Sequence, residues 1–207
     1  MTEFDGATLD WQNQYKLLIG SVTPRPIALV TTLGSQGPNA APFSFFNAIG
    51  ANPGMVMFSI SDKQGAAKDT LANILEIPEF VVHIVSDAIK EKMNVCAIDY
   101  PRGVNEIAEA GFTAVASRRV RPPRLAEAPV AFECRLLQRL ELGSVPYHLV
   151  VGEVVYFHFH EGIVDEQFRV DVGKVDPIGR LGGRGGYTRI DPFEMARLQY
   201  DGGPSKA

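Results

Sequence analysis

Cysteine is scarce in this chain, and its scarcity limits the kinds of protein the chain can be. Among 207 residues there are two cysteines, Cys96 and Cys134, and no CxxC pair. A disulfide framework and a zinc site are therefore not indicated, because each needs several thiols or imidazoles at short spacing. Two isolated thiols fit a reducing compartment, so we expect a cytoplasmic protein.

Long hydrophobic runs are missing as well. No uninterrupted apolar run reaches the roughly 20 residues that a transmembrane helix needs. The N-terminus, MTEFDGATLDW, is acidic and lacks the basic segment followed by an apolar one that marks a secretory signal. We therefore expect no membrane association.

A strong positive charge is also absent. The net charge is −4 and the sequence pI is about 5.6, which gives no reason to expect a nucleic acid partner. The local exception is the cluster SRRVRPPR, which contains Arg118, Arg119, Arg121 and Arg124. We interpret it as a solvated loop; docking of a partner protein is the alternative.

The common nucleotide and metal motifs do not occur either. The chain has no GxGxxG after a strand, no GxxxxGK[ST], no HExxH, no GxSxG and no EF-hand loop. The pair His158 and His160 has HxH spacing but no third ligand motif, so we interpret both as exposed strand residues and predict no metal site. Any cofactor of this protein is held by other means.

What is present is a series of short strands with clear turn signals. We predict a strand from Pro26 to about Leu33, a turn at GSQGPN, a second strand from about Ala41 and a third at MVMFSIS. These three strands are expected to form an antiparallel meander. Two longer strands, VAFECRLLQRLEL and HLVVGEVVYFHFH, are predicted in the second half, with Gly152 as a bulge or close-approach point.

Helical patterns interrupt the strands. Leu71, Ile74 and Leu75 have helical spacing, Pro78 ends the pattern, and Asp69 or Thr70 could cap the helix. The Gly-rich segment DVGKVDPIGRLGGRGGYTRI has too few apolar residues for a helix or strand of its own. The chain is therefore predicted to be mainly β, a barrel or sandwich with flanking helices.

Several polar residues stand where they could bind an anion. Lys68, Asp69 and Thr70 lie where a loop enters the predicted helix, and Arg25 is held between two prolines. The alternative is that Asp69 or Thr70 only caps the helix and that Lys68 is solvated. Thr31 and Thr32 could hydrogen-bond a heteroaromatic ring, although threonine is common in strands for its β propensity alone.

The blocks SVTPRPIALVTTLGSQGPNAAPFSFFNAIGANPGMVMFSIS, KDTLANI, EFVVHIVS and HLVVGEVV, taken in this order, resemble the flavin reductase-like family of FMN-binding split barrels, in the branch that includes flavoredoxin. The resemblance runs from about Ser21 to Ile190. It implies an antiparallel, Greek-key-like split barrel at residues 21–190, with an extension at 1–20 and a tail at 191–207. It also implies a homodimer with FMN near the subunit interface.

The resemblance also implies a set of FMN-binding residues. Ser44, Phe45, Phe46 and Asn47 would line the flavin and hydrogen-bond its polar ring edge. The residues implied around the phosphate end are Arg25, Lys68, Asp69 and Thr70, with the hydroxyls of Thr31, Thr32 and Ser61 nearby. Tyr187 would reach the flavin once the Gly-rich segment folds over the site.

His148 is the candidate catalytic residue. In similar proteins a histidine at the start of the HLVVGEVV strand lies close to the isoalloxazine, where it would hydrogen-bond the flavin or the incoming nicotinamide. A strand-end histidine bonded to the backbone is the equally weighted alternative. His83 is interpreted as a core or interface histidine, and Glu153 as a residue that must be paired or protonated if it is buried.

The function that follows from the resemblance is hydride transfer from NADH or NADPH to FMN, with electrons passed on to free flavin, oxygen or a partner protein. Two rivals remain. One is an FMN electron carrier of the flavoredoxin kind without direct nicotinamide turnover, and the other is a flavin-free barrel used for protein interaction. A monooxygenase or another redox protein is a possible partner.

Overall fold

A computed structural model describes residues 1–62 and 65–197 of the chain. Within these ranges the α-helices are short and lie mostly between strands. They are α1 (Trp11–Ser21), α2 (Asp69–Glu76), α3 (Lys90–Val95), α4 (Glu106–Glu109) and α5 (Val172–Val175), with 3₁₀ turns at Gly6–Thr8 and Asp87–Ile89.

The strands account for most of the regular structure. They are β1 (Arg25–Pro26), β2 (Ala28–Gly34), β3 (Gly37–Phe43), β4 (Phe46–Ala51), β5 (Gly54–Ser61), β6 (Glu79–Ile84), β7 (Ala114–Val115), β8 (Arg124–Leu125), β9 (Val130–Leu142), β10 (Tyr147–Phe159), β11 (Ile178–Arg180) and β12 (Tyr187–Arg189). The prediction of a mainly β chain is confirmed.

Seven of these strands form one antiparallel sheet in the order β3-β2-β6-β9-β10-β5-β4. The predicted three-strand meander is present only in part: both of its antiparallel pairings form, as β2 with β3 and as β4 with β5, but the predicted second strand is divided into β3 and β4. Strands β2 and β5 each pair on their other side with a distant strand, β6 and β10. The turn between β2 and β3 does form, and Gly34 pairs with Gly37 across it. Local turn signals thus gave the hairpin, but long-range pairing decided the sheet.

The two edge strands of the sheet are neighbours in the sequence. β3 ends at Phe43 and β4 begins at Phe46, so only Ser44 and Phe45 connect the opposite edges. The three Cα–Cα steps from Phe43 to Phe46 span no more than about 11 Å. The sheet must therefore curl until its edges meet, which closes the barrel, and the N–H of Ser59 on β5 donates to the carbonyl of Phe45 at 2.9 Å. We call residues 44–47 the seam.

Aromatic side chains fill the barrel. Phe43, Phe46, Phe58 and Phe80 belong to one buried cluster, with ring centroids 5.0 Å apart for Phe43 and Phe58 and 5.4 Å apart for Phe58 and Phe80. Gly152 makes room for Phe80, since a Cβ at this glycine would lie 2.3 Å from the phenyl ring. The β9–β10 register shifts at the same point, so the predicted close approach and bulge are both confirmed.

The Gly-rich segment is more regular than its composition predicts. It contains α5, and β11 and β12 join β1 in a three-stranded sheet. The prediction that this segment has no helix or strand of its own is wrong. Its strands need few apolar residues because β1 supplies the hydrogen-bonding partner. Residues 191–197 carry no regular structure.

Candidate functional site

The seam residues point in different directions. Phe46 is 8% exposed and belongs to the barrel interior, whereas Asn47 is exposed. The ring of Phe45 lies outside the barrel; it is stacked on Tyr147 with centroids 6.2 Å apart and is tilted against Tyr15 of α1 at 6.3 Å. Ser44 and Phe45 therefore border a surface region beside the place where the barrel closes.

A cavity of about 400 Å³ opens next to the seam. Strand β3 forms one wall with Asn39, Ala41, Pro42 and Phe43, and the start of α2 forms another with Lys68, Asp69 and Thr70. The third wall is the segment that follows α3. Its lining residues are Cys96, Ala97, Ile98, Asp99, Tyr100, Pro101 and Arg102, with Glu106 beyond them.

The start of α2 is not capped by any side chain. Lys68 occupies the N-cap position, and neither Asp69 nor Thr70 caps the helix as the sequence pattern allowed. The Asp69 carboxylate instead accepts the N–H of Gly103 at 3.3 Å and lies 3.4 Å from Nε of Arg102. Lys68 is half-buried, and no ion pair or hydrogen bond of its ammonium occurs within the described part of the chain. The backbone N–H groups of the first turn and one ammonium are thus available at the cavity wall.

Beneath the cavity wall lies a buried polar network. The Oδ1 of Asn39 accepts from Thr70 at 2.9 Å and from Thr32 at 3.4 Å, and its Nδ2 donates to Glu106 at 3.0 Å. The second oxygen of Glu106 accepts the N–H of Ala40 at 3.1 Å. Burial raises the pKa of Glu106. This network fixes β3, α2 and α4 relative to one another and so sets the shape of the cavity.

The network determines the hydrogen-bonding roles of two predicted site residues, Thr70 and Thr32. The Thr70 hydroxyl lines the cavity but gives its hydrogen to Asn39, so it is an acceptor toward anything in the cavity. Thr32 is fully buried and also accepts from Asn73 at 3.0 Å. Asn39 and Glu106 were not among the predicted residues. A polar residue within a strand, and a glutamate directly after the helix-capping Asn105, are the signals that could have found them.

Thr31 and Ser61 do not join this group. The hydroxyl of Thr31 donates to the carbonyl of Pro123 at 2.6 Å, and the residue is fully buried. Ser61 lies at the end of β5, paired in register with Tyr147. Neither residue lines the cavity that contains Lys68.

Arg25 also lies outside the cavity. It is 6% exposed, and its guanidinium donates to the carbonyls of Ile19, Val22 and Leu181 at 2.6, 3.0 and 3.1 Å. Its Nε lies 3.5 Å from the hydroxyl of Ser44, and its carbon Cζ is 5.8 Å from the Phe45 ring. Arg25 thus ties α1 and the Gly-rich segment to the seam.

Tyr187 is placed elsewhere again. Its ring lies 4.6 Å from the guanidinium carbon of Arg180, and it lines a separate cavity of about 500 Å³ beside Asp87, Lys90 and Arg189. The structure therefore does not bring Tyr187 together with the residues at the start of α2.

His148 is buried at the start of β10, with both ring nitrogens engaged. Nδ1 is 3.1 Å from Nη1 of Arg139, and Nε2 is 3.0 Å from Oδ1 of Asp62. Because a guanidinium can only donate, Nδ1 is the acceptor and Nε2–H donates to Asp62, which defines one neutral tautomer. His148 does not line the cavity, but Asp62 lies on the segment that leads from β5 to Lys68.

The other histidines lie away from this region. His83 is fully buried; its Nε2 accepts the N–H of Leu125 at 3.0 Å and its Nδ1 donates to the carbonyl of Leu29 at 2.9 Å, so the prediction of a core histidine is confirmed. Burial lowers the pKa of His83 to about 4. His158 is half-buried and bonded to Glu133 at 2.6 Å, so the expectation of an exposed side chain is wrong for it and holds only for His160.

The remaining expectations concern the cysteines, metal binding, membrane-spanning helices and Glu153. Cys96 and Cys134 are both free and buried. Among residues 1–62 and 65–197, no cluster of three histidine, cysteine or acidic side chains could hold a metal ion. In the same ranges no helix has both the length and the hydrophobicity to cross a membrane. Glu153 is half-buried rather than buried.

Comparison with known proteins gives one family. The model of the flavin reductase like domain matches residues 19–176. Nitrilotriacetate monooxygenase component B from Bacillus cereus is 35% identical with a TM-score of 0.90, over 94% of this chain and 98% of that one. The 2-nitrobenzoate 2-nitroreductase NbaA of Pseudomonas fluorescens is 37% identical with a TM-score of 0.84, over 100% of both chains.

A third structure bears on the fold alone. A flavin reductase with a split barrel domain from Shewanella frigidimarina is 20% identical, with a TM-score of 0.81 over 97% of this chain and 100% of that one. The barrel closed at the seam is thus a split barrel, as the sequence resemblance implied.

Proposed function

Since this chain belongs to the flavin reductase-like family, we propose that it is an FMN-binding NAD(P)H:flavin oxidoreductase. The observation that carries the proposal is the cavity beside the seam, where the start of α2 is uncapped and the Lys68 ammonium has no partner among the described residues. FMN has an anionic phosphate at one end and a planar, polar-edged ring at the other, joined by the ribityl chain. The cavity and the seam offer one binding region for each.

The donors at the cavity fit a flavin phosphate. Backbone N–H groups at a helix N-terminus carry a partial positive charge and favour anions. Lys68 adds a full charge at the same place, and the Asp69 carboxylate is already bonded to Gly103 and close to Arg102. These contacts offset part of the repulsion that the Asp69 carboxylate would exert on a phosphate.

The seam suits the ring end of the cofactor. Ser44 is half-buried and Asn47 exposed, and both offer polar groups beside the aromatic surface of Phe45, Tyr15 and Tyr147. Such a surface favours a flat heteroaromatic ring. In this arrangement Ser44 to Asn47 hold the ring edge, Lys68 and the first turn of α2 hold the phosphate, and Thr70 accepts a hydrogen bond from the ribityl chain.

A bound flavin supplies the hydride acceptor, and the protein contributes position and electrostatics. His148 takes part through the fixed tautomer that Arg139 and Asp62 impose. A direct hydrogen bond from His148 to flavin or nicotinamide requires that one of these two neighbours release its nitrogen. Four of the five N–H donors of Arg25 are directed at the carbonyls of Ile19, Val22 and Leu181 and at the Ser44 hydroxyl, so in this proposal it shapes the seam instead.

Homodimerisation is part of the proposal. The distal half of the β9–β10 hairpin carries Leu137, Leu140, Leu142 and Val145, which are 54, 40, 52 and 48% exposed. A row of exposed aliphatic side chains on one hairpin favours burial against a second subunit. A cytoplasmic location, supported by the two unpaired cysteines, and a monooxygenase as electron-accepting partner complete the proposal.

The test is the visible spectrum of the FMN-loaded protein under anaerobic conditions, before and after addition of NADH and then NADPH. We expect one donor to bleach the flavin absorbance well above the rate for free FMN. A spectrum that only dithionite bleaches would assign the protein as an electron carrier. Failure to retain or turn over FMN would exclude the flavoprotein function.

A further inference from the structure

Segment 97–103 follows α3; its residues 97–102 form the outer wall of the cavity that contains Lys68, and Arg102 is the cation of this wall. The Arg102 side chain is 64% exposed, and its Nε lies 3.4 Å from Oδ1 of Asp69. The other carboxylate oxygen of Asp69 accepts the N–H of Gly103 at 3.3 Å. Both contacts join the segment to the first residue of α2.

Both ends of the segment are fixed. Cys96, which precedes it, is 3% exposed and belongs to a hydrophobic cluster. After it, Glu106 is hydrogen-bonded to Asn39 and to the N–H of Ala40 on β3. Gly103 adopts a φ of +85°, a value that favours glycine. Arg102 is therefore held near the cavity by the backbone on either side as well as by Asp69.

The charges that line the cavity favour a second cation beside Lys68. The carboxylates of Asp69 and Glu106 line it together with the cations Lys68 and Arg102. A phosphate near these carboxylates would be repelled if Lys68 were the one cation available. The guanidinium offsets the charge of Asp69. Its terminal nitrogens have no acceptor within the described part of the chain, so they can donate to phosphate oxygens.

We propose that Arg102 is a second ligand of the flavin phosphate, together with Lys68, and that Asp69 is the positioning residue that orients its guanidinium. The inference rests on the proposed function, since it assumes that the cavity takes the phosphate end of FMN. Arg102 was missed by sequence reasoning because it lies at least 32 positions from each cavity residue at the start of α2, and only the fold brings them together.

The experiment compares FMN with riboflavin, which lacks the phosphate. The apoprotein is titrated with each flavin and binding is followed by quenching of flavin fluorescence. For Arg102→Ala we expect FMN affinity to fall about five- to tenfold, with riboflavin affinity unchanged within about twofold. Asp69→Asn removes both the anchor of the guanidinium and one negative charge that repels the phosphate. We expect the loss of orientation to dominate and FMN affinity to fall about twofold; an affinity that rises would overturn the positioning role of Asp69.

Arg121→Ala is the matched control. Its Nε lies 3.2 Å from Oε2 of Glu79 and its side chain is 60% exposed, so it resembles Arg102 in pairing and exposure but lies outside the cavity. It should change neither affinity. Arg102→Gln, which keeps a polar side chain, should repeat the FMN-specific loss if that loss does not come from misfolding.

Each outcome decides a different point. Unchanged FMN affinity in Arg102→Ala would overturn the role of Arg102. Equal affinities of the wild type for FMN and riboflavin would also overturn the role of Arg102, because no charged side chain would then contribute to binding the phosphate. If the wild type binds neither flavin, the proposed function itself fails.

Discussion

Arg25 and Lys68 were both implied as phosphate ligands, yet they lie in opposite kinds of environment. Arg25 is 6% exposed and donates to three backbone carbonyls. Lys68 is half-buried beside an uncapped helix start, and its ammonium has no partner within the described residues. The difference teaches that a cation is available to a ligand only when the fold leaves its donors unpaired, whatever its place in a motif.

The same distinction separates other polar groups of the molecule. His83 resembles Arg25, because both its ring nitrogens are paired with backbone groups inside the core. We call residues whose polar groups are paired within the fold the closed class, and residues with unpaired polar groups, such as Lys68, the open class. The closed class should determine stability, and the open class should determine ligand affinity. Four substitutions test that division.

The largest effect is expected for Arg25→Met. Loss of the guanidinium leaves the carbonyls of Ile19, Val22 and Leu181 without a donor, which should lower the free energy of unfolding by about 3 kcal/mol. Urea denaturation measures it, with Arg121→Ala as the exposed control at about 0.5 kcal/mol or less. A stable Arg25→Met protein that no longer prefers FMN to riboflavin would reverse our assignment and make Arg25 a phosphate ligand.

His83 gives the closed class a pH dependence. Its pKa is about 4 in the fold against 6.5 for an ordinary histidine, so the unfolded chain binds the extra proton first. The stabilisation is fully present above pH 6.5 and is lost as the pH falls toward 4, by about 3 kcal/mol in all.

The variant His83→Gln isolates this contribution, since glutamine can both donate and accept in the core. Urea unfolding at pH 7 and pH 4 should show a smaller loss on acidification in the variant than in the wild type. His160→Gln, at an exposed histidine, should keep the wild-type difference. An unchanged pH dependence in His83→Gln would show that this imidazole titrates normally.

Lys68→Ala tests the open class. We expect FMN affinity to fall about tenfold, riboflavin affinity to stay the same, and the unfolding free energy to change by less than about 0.5 kcal/mol. Lys16→Ala, on the exposed face of α1, is the control. Adding Thr70→Ala should lower the free energy of unfolding with little further loss of FMN affinity, because the Thr70 hydroxyl donates to Asn39. An FMN affinity equal to wild type would place the phosphate elsewhere.

How far the sequence predicts this molecule depends on the distance over which each feature is determined. The β2–β3 hairpin, α2 and the close approach at Gly152 follow from neighbouring residues, and all three are present. The division of the predicted second strand into β3 and β4 and the order of the Gly-rich segment depend on strands that pair over long separations. Spacing along the chain does not specify such pairings.

The candidate site divides in the same way. The residues at the start of α2 could be found because a loop enters a helix there. Arg102 could not, because it joins the cavity only through the packing of β3, α2 and the segment after α3. Asn39 and Glu106 had local signals, but their place at the cavity depends on the same packing. The pairing state of Arg25 and Thr31 was equally out of reach, since their acceptors include Leu181 and Pro123, which are distant in sequence.

His148 lies between the two classes, and the smallest effect is expected there. Its nitrogens are paired like those of His83, but its partners Arg139 and Asp62 are side chains, and Asp62 precedes the segment that leads to Lys68. Asp62→Ala removes the acceptor of Nε2–H, so the imidazole should lose its single tautomer while stability falls by about 1 kcal/mol or less.

Nitrogen NMR of the His148 ring reads this directly: the wild type should show a protonated Nε2 and an unprotonated Nδ1, and Asp62→Ala a mixture. The rate of flavin reduction by nicotinamide should fall about threefold, an effect on orientation alone. Glu141→Ala, whose carboxylate is 3.8 Å from Nδ1, is the control and should leave the tautomer intact. If Asp62→Ala keeps both the tautomer and the rate, the position of His148 is set by Arg139 and the strand, and this histidine belongs with the closed class.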